Sequence, residues 1–512
     1  MPDPSRRTAH QHLPRSGAAR DALRDKGQFW TPDWVASAMV EYVLSDGSPH
    51  IFDPAVGSGA FFLAARVVVK EQGRPLKLLG TELYKDVLTA ALTAGLGPDD
   101  LAGVEIRDFL RNPPESRFAA IVANPPYIRH HRLDAETKRF LKVFATSLLG
   151  EPLDGRTGYH VFFLLRALTL LDVGGRLAFI VPADTCEGVF ANKLWHWITT
   201  HYCLDGVITF TPEATPFPGV DTNAVVLLLK NTAPRSDFSW ARCKEPSGSL
   251  RRWVSLGQPD QDHPELHAIR RDIGEGIRVG LSREPAPELK DAVPLRVFAH
   301  VVRGIATGAN DFFHLTGAQL KDLSLPFDYF IRAVGRTRDI EGEAIDQEGL
   351  ATLDARGRPT FLLNIGADSF NELPASLRMY VASGEAKGLH QRALIGARRP
   401  WYKMERREPP EFFFAYLGRR NVRFIRNLAG VVPLTGFLCV YANSSNPGYV
   451  ERLGKVLSRP ETLNALRAVA KSYGGGAMKV EPRALERLPI RQHVLEEEGL
   501  GIAEGEPQYS FL

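Results

Sequence analysis

From Trp34 to Leu229 the apolar positions follow two alternating periods. Short apolar runs of strand length fall at His50 to Phe52, Leu76 to Thr81, Val104 to Arg107, Ala119 to Ala123, Arg176 to Val181, Leu204 to Thr209 and Asn223 to Leu229. Helical spacing occupies most of the intervals, over Trp34 to Leu44, Ala60 to Glu71, Lys85 to Ala94 and His160 to Leu171. Runs with no polar face belong to strands buried on both sides. Their alternation with helices predicts βαβ units and an α/β, mostly parallel sheet. Past Asn231 the pattern breaks into turn residues such as Pro246-Ser247-Gly248 and scattered charges. The reading is therefore a loosely docked arm at 1–26, a first domain at 27–246, a linker at 247–294 and a second domain at 295–512.

Composition narrows the class. The 512 residues suffice for two or three domains with sizeable cores, and a formal charge of +4 neither demands nor excludes a polyanionic partner. Cys186, Cys203, Cys243 and Cys439 form no Cys-x-x-Cys pair, which fits a reducing cytosol and argues against structural zinc; no metal is expected. Met1 to His12 lacks the apolar core of a signal peptide. The longest apolar stretch, Val161 to Val181, is broken by Arg166, Asp172, Gly174, Gly175 and Arg176, so no membrane span is expected.

Candidate chemistry sits at the strand ends. Asn124-Pro125-Pro126-Tyr127 follows the run Ala119 to Ala123, at the carboxyl edge where open α/β sheets bind ligands. The Asn124 side-chain oxygen and the Pro125 carbonyl could each accept one N–H of a planar amine, restoring its lone pair and aiming it without deprotonation. Pro125 and Pro126 stiffen the loop, and Tyr127 offers a face for a flat ring. Asn-Pro-Pro is also an ordinary turn sequence. Upstream, Asp53-Pro54-Ala55-Val56-Gly57-Ser58-Gly59 joins a strand to an apolar helix. Gly57 and Gly59 permit close backbone approach to a ligand, and the helix N-terminus offers free N–H groups to an anionic end. Glu82 ends the next strand at the spacing of a ribose-binding carboxylate, and Asp108-Phe109 ends the third with an acceptor and an apolar wall for an adenine ring. Any one of these acids could be a helix cap or solvated strand end; four sites at successive strand ends, in order, carry more weight. A missing third glycine and Walker lysine argue against dinucleotides and nucleoside triphosphates.

With these residues in place, the chain resembles the N6-adenine DNA methyltransferases of the gamma arrangement, the modification methylases of restriction systems. Gly27 to Pro32 looks like the family's first cofactor motif and Asp53 to Phe61 its glycine motif, with Val56 where Cys is frequent. Asn124 to Tyr127 matches the catalytic motif, and Gly174 to Pro182 a strand-forming segment. Phe217-Pro218-Gly219-Val220-Asp221-Thr222 resembles the segment whose Phe stacks on an extruded base, so Tyr127 and Phe217 would clamp opposite faces of the adenine. Arg303 to Asn310 and Tyr473 to Pro489 are similar to segments that open and close recognition domains. The resemblance implies a Rossmann-like class I methyltransferase fold with a C-terminal target-recognition domain. S-adenosylmethionine would be held by Thr31, Asp53, Ala55, Gly57, Gly59, Glu82, Asp108 and Phe109. The implied reaction is direct methylation of adenine N6 in duplex DNA after base extrusion.

The second domain concentrates basic and aromatic residues between Arg398 and Arg426. Arg398, Arg399, Lys403, Arg419 and Arg420 are candidate DNA contacts, as is Arg129 beside the catalytic motif. The alternative there is a solvated basic face over an aromatic core, above all for Phe412 to Phe414. The expected enzyme is a monomer in the cytoplasm of a bacterium or archaeon, with a restriction endonuclease acting separately as an open partner. Two rivals remain at this point: a methyltransferase of a protein glutamine or an RNA guanine amine, and a catalytically silent DNA-specificity subunit. With 26 residues ahead of the first cofactor motif, a nuclease fused there is not expected.

Overall fold

The computed structural model describes residues 30–218, 223–285, 291–366, 369–415, 417–418, 422–473 and 477–505. The expected arm, Gly27 to Phe29, Gly219 to Thr222, Arg419, Arg420 and Gly474 to Gly476 lie outside the described residues. The chain divides into two compact units, one reaching Pro285 and the other formed by most of the remainder.

The first unit is built on a ten-stranded sheet. Its strands are β1 (His50–Asp53), β2 (Lys77–Glu82), β3 (Val104–Ile106), β4 (Phe118–Ala123), β5 (Leu171–Pro182), β6 (Cys203–Phe210), β7 (Ala224–Lys230), β8 (Asp237–Cys243), β9 (Gln261–Asp262) and β10 (Leu266–Asp272). They lie in the order β3-β2-β1-β4-β5-β7-β6-β8-β10-β9. Pairs from β3 through β5 are parallel, and β7 runs antiparallel between β5 and β6. This is the doubly wound class I methyltransferase arrangement that the sequence led one to expect. Chain order reverses at β1, which has β2 on one side and β4 on the other. A crevice therefore opens at the carboxyl ends of these strands.

Alternation along the strands fills both layers. Ile51, Ala120, Val122 and Ile180 face one apolar cluster with helix α1 (Asp33–Val43) and helix α2 (Ala60–Gln72). Phe52, Ile121 and Phe179 face the other, shared with helices Ala135–Leu149, Tyr159–Thr169 and Ala191–His201.

One boundary differs from expectation. The stretch 247–294 begins not as a linker but as helix Ser249–Ser255, β9, β10 and helix Ile273–Val279, all within the first unit. Arg271 is buried there, donating to the Glu275 carboxylate and to the carbonyls of Leu281 and Arg283, so the charges that suggested solvent are internal ties.

The second unit carries a five-stranded sheet, Ala299–Arg303, Leu438–Ala442, Phe412–Phe414, Phe424–Asn427 and Ala344–Ile345, and a four-stranded one. Helix Pro447–Ser458 covers the five-stranded sheet through Tyr449, Leu453 and Val456, which share a core with Phe412, Phe414 and Val440.

Candidate active site

A cleft of about 830 Å3 opens at the carboxyl ends of β1, β2 and β4. Asp53, Ala55, Gly57, Glu82, Asp108, Phe109, Thr31 and Asn124 all line it, so the expected cofactor residues other than Gly59 share one cavity with the asparagine expected to be catalytic.

The glycine loop is tied to β2. Gly57 N–H donates to Glu82 Oε2 at 3.0 Å and Val56 N–H to the Thr81 carbonyl at 3.1 Å, while the Thr81 hydroxyl donates to the Pro54 carbonyl at 2.7 Å. Glu82 Oε1 takes the N–H groups of Leu83 and Tyr84 at 2.9 and 3.3 Å. A carboxylate fixed this firmly keeps lone pairs for a ligand without changing rotamer. Gly59 is not itself at the cavity wall; it starts α2 with φ of +75°, and a Cβ there would meet Leu96 Cδ1 at 2.3 Å. Only glycine meets both demands.

Asp53 is fully buried. Its Oδ1 accepts from Ala55 N–H at 2.9 Å, while its Oδ2 has no hydrogen-bond partner among the described residues. Burial raises its pKa to about 8; the Ala55 N–H opposes the shift and the Glu82 charge adds to it. An unmatched buried acceptor fits a ligand that brings its own donor or cation. Asp108 Oδ1 takes Leu110 N–H at 2.9 Å and Arg111 N–H at 3.1 Å, and the Phe109 ring is walled by Phe52 and Phe163.

The Asn124 to Tyr127 loop leaves β4 directly. Asn124 Nδ2 donates to Thr31 Oγ1 at 3.2 Å, so the amide presents Oδ1 as its acceptor. Thr31, expected at the cofactor, thus also touches the asparagine. Pro126 lines the cleft; Pro125 is buried behind it. The Tyr127 hydroxyl donates to the Ile180 carbonyl at 3.1 Å, and burial, with Asp184 adding, raises its pKa well above the usual value. Tyr127 and Phe217 do come together, but edge to face, at 6.2 Å and 77°. Phe217 is 3% exposed and packed in the apolar cluster that also takes in α1 and α2. Arg129 stands exposed on the loop after Tyr127.

Trp30 and Ser58, from inside the two expected cofactor motifs, also line the cleft, and Tyr84, Asp134 and Tyr159 do so unforeseen. Asp134 reads in sequence only as the cap of helix Ala135–Leu149, which it is, through Thr137 N–H at 2.8 Å. Tyr84 has one sequence signal, an aromatic residue two places past a strand-ending carboxylate; it is 55% exposed.

In the second unit, three of the candidate DNA contacts are described. Arg398 is turned inward: it donates to the carbonyls of Ala306 and Thr307 at 2.6 and 2.9 Å and lies over the Phe313 ring. That corrects its reading as a phosphate contact, because its guanidinium ties the chain of its own unit. Arg399 is exposed, with local bonds to the carbonyls of Gly396 and Arg398, and Lys403 is exposed. Phe412 to Phe414 are buried, so the aromatic half of the segment is core.

The "N-6 DNA Methylase" family model matches residues 16–241, and that of the "Type II methyltransferase M.Eco57I, C-terminal domain" matches 286–502. The first unit thus matches the N-6 DNA methylases and the second the C-terminal domain of a type II methyltransferase. The chain is an N6-adenine DNA methyltransferase of the restriction-modification type. The chain is 24% identical over 472 residues to the type II methyltransferase M.AccI of Acinetobacter calcoaceticus, spanning 90% of this chain and 84% of that one. It is 24% identical over 475 residues to M.XamI of Xanthomonas campestris pv. amaranthicola, spanning 91% and 85%. Among solved structures, that of the type IIG restriction endonuclease BpuSI aligns with 94% of this chain and 62% of its own, at 16% identity and a TM-score of 0.49. These matches favour DNA adenine over the protein-glutamine, RNA and silent-subunit alternatives. Among the described residues no helix is long and apolar enough to cross a membrane, and no cluster of three His, Cys, Asp or Glu side chains is arranged to hold a metal.

Proposed function

We propose that this methylase binds S-adenosylmethionine in the cleft of the first unit and methylates N6 of an adenine rotated out of duplex DNA. The observation that carries the reading is the shared cavity: Asn124 lines the same cleft as Asp53, Glu82 and Asp108. The partnerless Oδ2 of Asp53 fits the cofactor's cationic amine, Glu82 its ribose hydroxyls, and Asp108 with Phe109 its adenine. When bound, the cofactor supplies an electrophilic methyl carbon.

The chain's own residues prepare the amine. Asn124 Oδ1, with its amide held through Nδ2 by Thr31, and the Pro125 carbonyl accept the two N–H groups of the adenine. Delocalisation into the ring is thereby reduced, and the lone pair is aimed rather than generated by deprotonation. Tyr127 supports the base by stacking, and Phe217 joins it by moving out of its core position and turning its ring. No residue becomes covalently attached, and the proton leaves for water after the C–N bond has formed. Extrusion costs a few kcal/mol, offset by stacking and by phosphate contacts from Arg129, Arg399, Lys403 and, outside the described residues, Arg419 and Arg420. The enzyme acts as a monomer in the cytoplasm, with any cognate endonuclease on a separate chain.

Incubation with tritiated S-adenosylmethionine and, in parallel, duplex DNA, ribosomal RNA and release-factor protein tests this. Label enters DNA alone, and Asn124→Ala removes it while cofactor binding persists. Label in RNA or protein, or near-normal turnover by Asn124→Ala, refutes the reading.

A further inference from the structure

His160 is an imidazole where the sequence otherwise places hydrocarbon. It occupies the first turn of helix Tyr159–Thr169, whose seven other buried positions are Val, Phe, Leu or Ala. A buried polar ring costs free energy unless it is bonded, so packing alone would favour Leu or Phe. The imidazole makes one hydrogen bond, between Nε2 and the Thr185 hydroxyl at 3.1 Å; Nδ1 has no partner among the described residues. Asp184 Oδ1 lies 3.7 Å from Nε2.

The chain also makes room for it. Gly158, the residue capping this helix, has φ of −73°, which any residue adopts. A Cβ there would stand 2.5 Å from His160 Cε1 and 2.8 Å from Nδ1. The missing side chain serves the ring, at a position where a capping Ser or Asp would otherwise stabilise the helix.

What the ring touches is Tyr127, edge to face, at 5.9 Å and 70°. Tyr127 is held by β5 through its hydroxyl on Ile180. Thr185 follows the same strand and is fixed by the Trp195 indole N–H on its carbonyl at 2.7 Å. We propose that His160 is a positioning residue for the target base: tethered to Thr185, it braces the Tyr127 ring so that its face is set before the adenine arrives. This rests on the proposal that Tyr127 stacks on the base. Burial lowers the His160 pKa to about 3, so the brace is a neutral ring throughout the working range and no proton transfer is assigned to it.

The test uses full-length protein, plasmid DNA and tritiated S-adenosylmethionine. His160→Leu removes the aromatic edge and the hydrogen bond but suits the apolar surroundings, so melting temperature holds or rises. Its kcat/KM for DNA falls about tenfold, the scale of a lost ring pair plus a hydrogen bond, while the cofactor Kd stays within about twofold. His160→Phe, which keeps an edge, recovers most of the loss. In a Tyr127→Ala background His160→Leu costs nothing further in kcat/KM, because the ring it braces has gone. Should His160→Leu fail to fold, Gly158→Ala displaces the imidazole and carries the same expectation. Full turnover by His160→Leu, additive losses in the double variant, or a cofactor Kd that weakens in step with kcat/KM overturns the positioning role. Near-normal turnover by Tyr127→Ala overturns the stacking reading instead, and that variant alone tells the two failures apart.

Discussion

Asp53 shows how one side chain links stability, cofactor and pH. Its carboxyl ionises at about 4 in an unfolded chain and at about 8 in the folded one. Between those values the folded state holds a proton that the unfolded state has lost. The stability contributed by this group is complete below about pH 4 and is lost as pH rises through about 8. The melting temperature of the cofactor-free protein accordingly declines from acid towards pH 8, and Asp53→Asn flattens that decline. A cation beside Oδ2 reverses the preference, so cofactor affinity climbs with pH through about 8 in the native protein and not in Asp53→Asn, as calorimetry across pH will show. The acidity of Asp53 was not legible in the sequence, because it depends on complete burial at the end of β1. The strand, glycine loop and helix around it were legible, since they follow one another without interruption.

Among elements, the parallel core was the most readable. β4, almost wholly buried, appears as an unbroken apolar run, and β1 to β4 were all located within one or two residues from short runs alternating with helical spacing. The strands β8 to β10 were missed for the opposite reason. In β10, Leu266-His267-Ala268-Ile269-Arg270-Arg271-Asp272 mixes charge with hydrocarbon, and Arg271 is neutralised by partners that only the fold supplies. Phe217 and Tyr127, expected to clamp the base, meet edge to face, an angle set by the packing of Phe217 in an apolar cluster that sequence pattern does not reveal. The turn into α2 gives a prediction at this scale. Gly59→Ala forces a side chain into a left-handed residue and against Leu96, so it should destabilise the first unit by about 1 to 3 kcal/mol, read from denaturant midpoints. Cofactor affinity falls with it, since the loop that presents Gly57 to Glu82 is the one displaced.

For the whole molecule, charge matters by location rather than sum. Both Arg129 and Arg398 are arginines in segments that read as DNA-binding, yet one stands exposed beside the catalytic loop and the other is bonded to backbone carbonyls of its own unit. Arg129→Ala should lower the slope of log affinity against log salt by about 1 without altering melting. Arg398→Ala should cost about 1 to 3 kcal/mol of stability and leave the salt slope unchanged. Binding titrations on duplex DNA at several salt concentrations separate the two. The central claim, that Asn124 directs a methyl group onto adenine N6, is tested most directly by sequencing DNA from a host without other adenine methylation that expresses this chain, using a method that resolves modified bases. The account predicts N6-methyladenine at one recurring short sequence, and none when the chain carries Asn124→Ala. Unmodified DNA from the native chain, or equal modification by the Asn124→Ala variant, would contradict it.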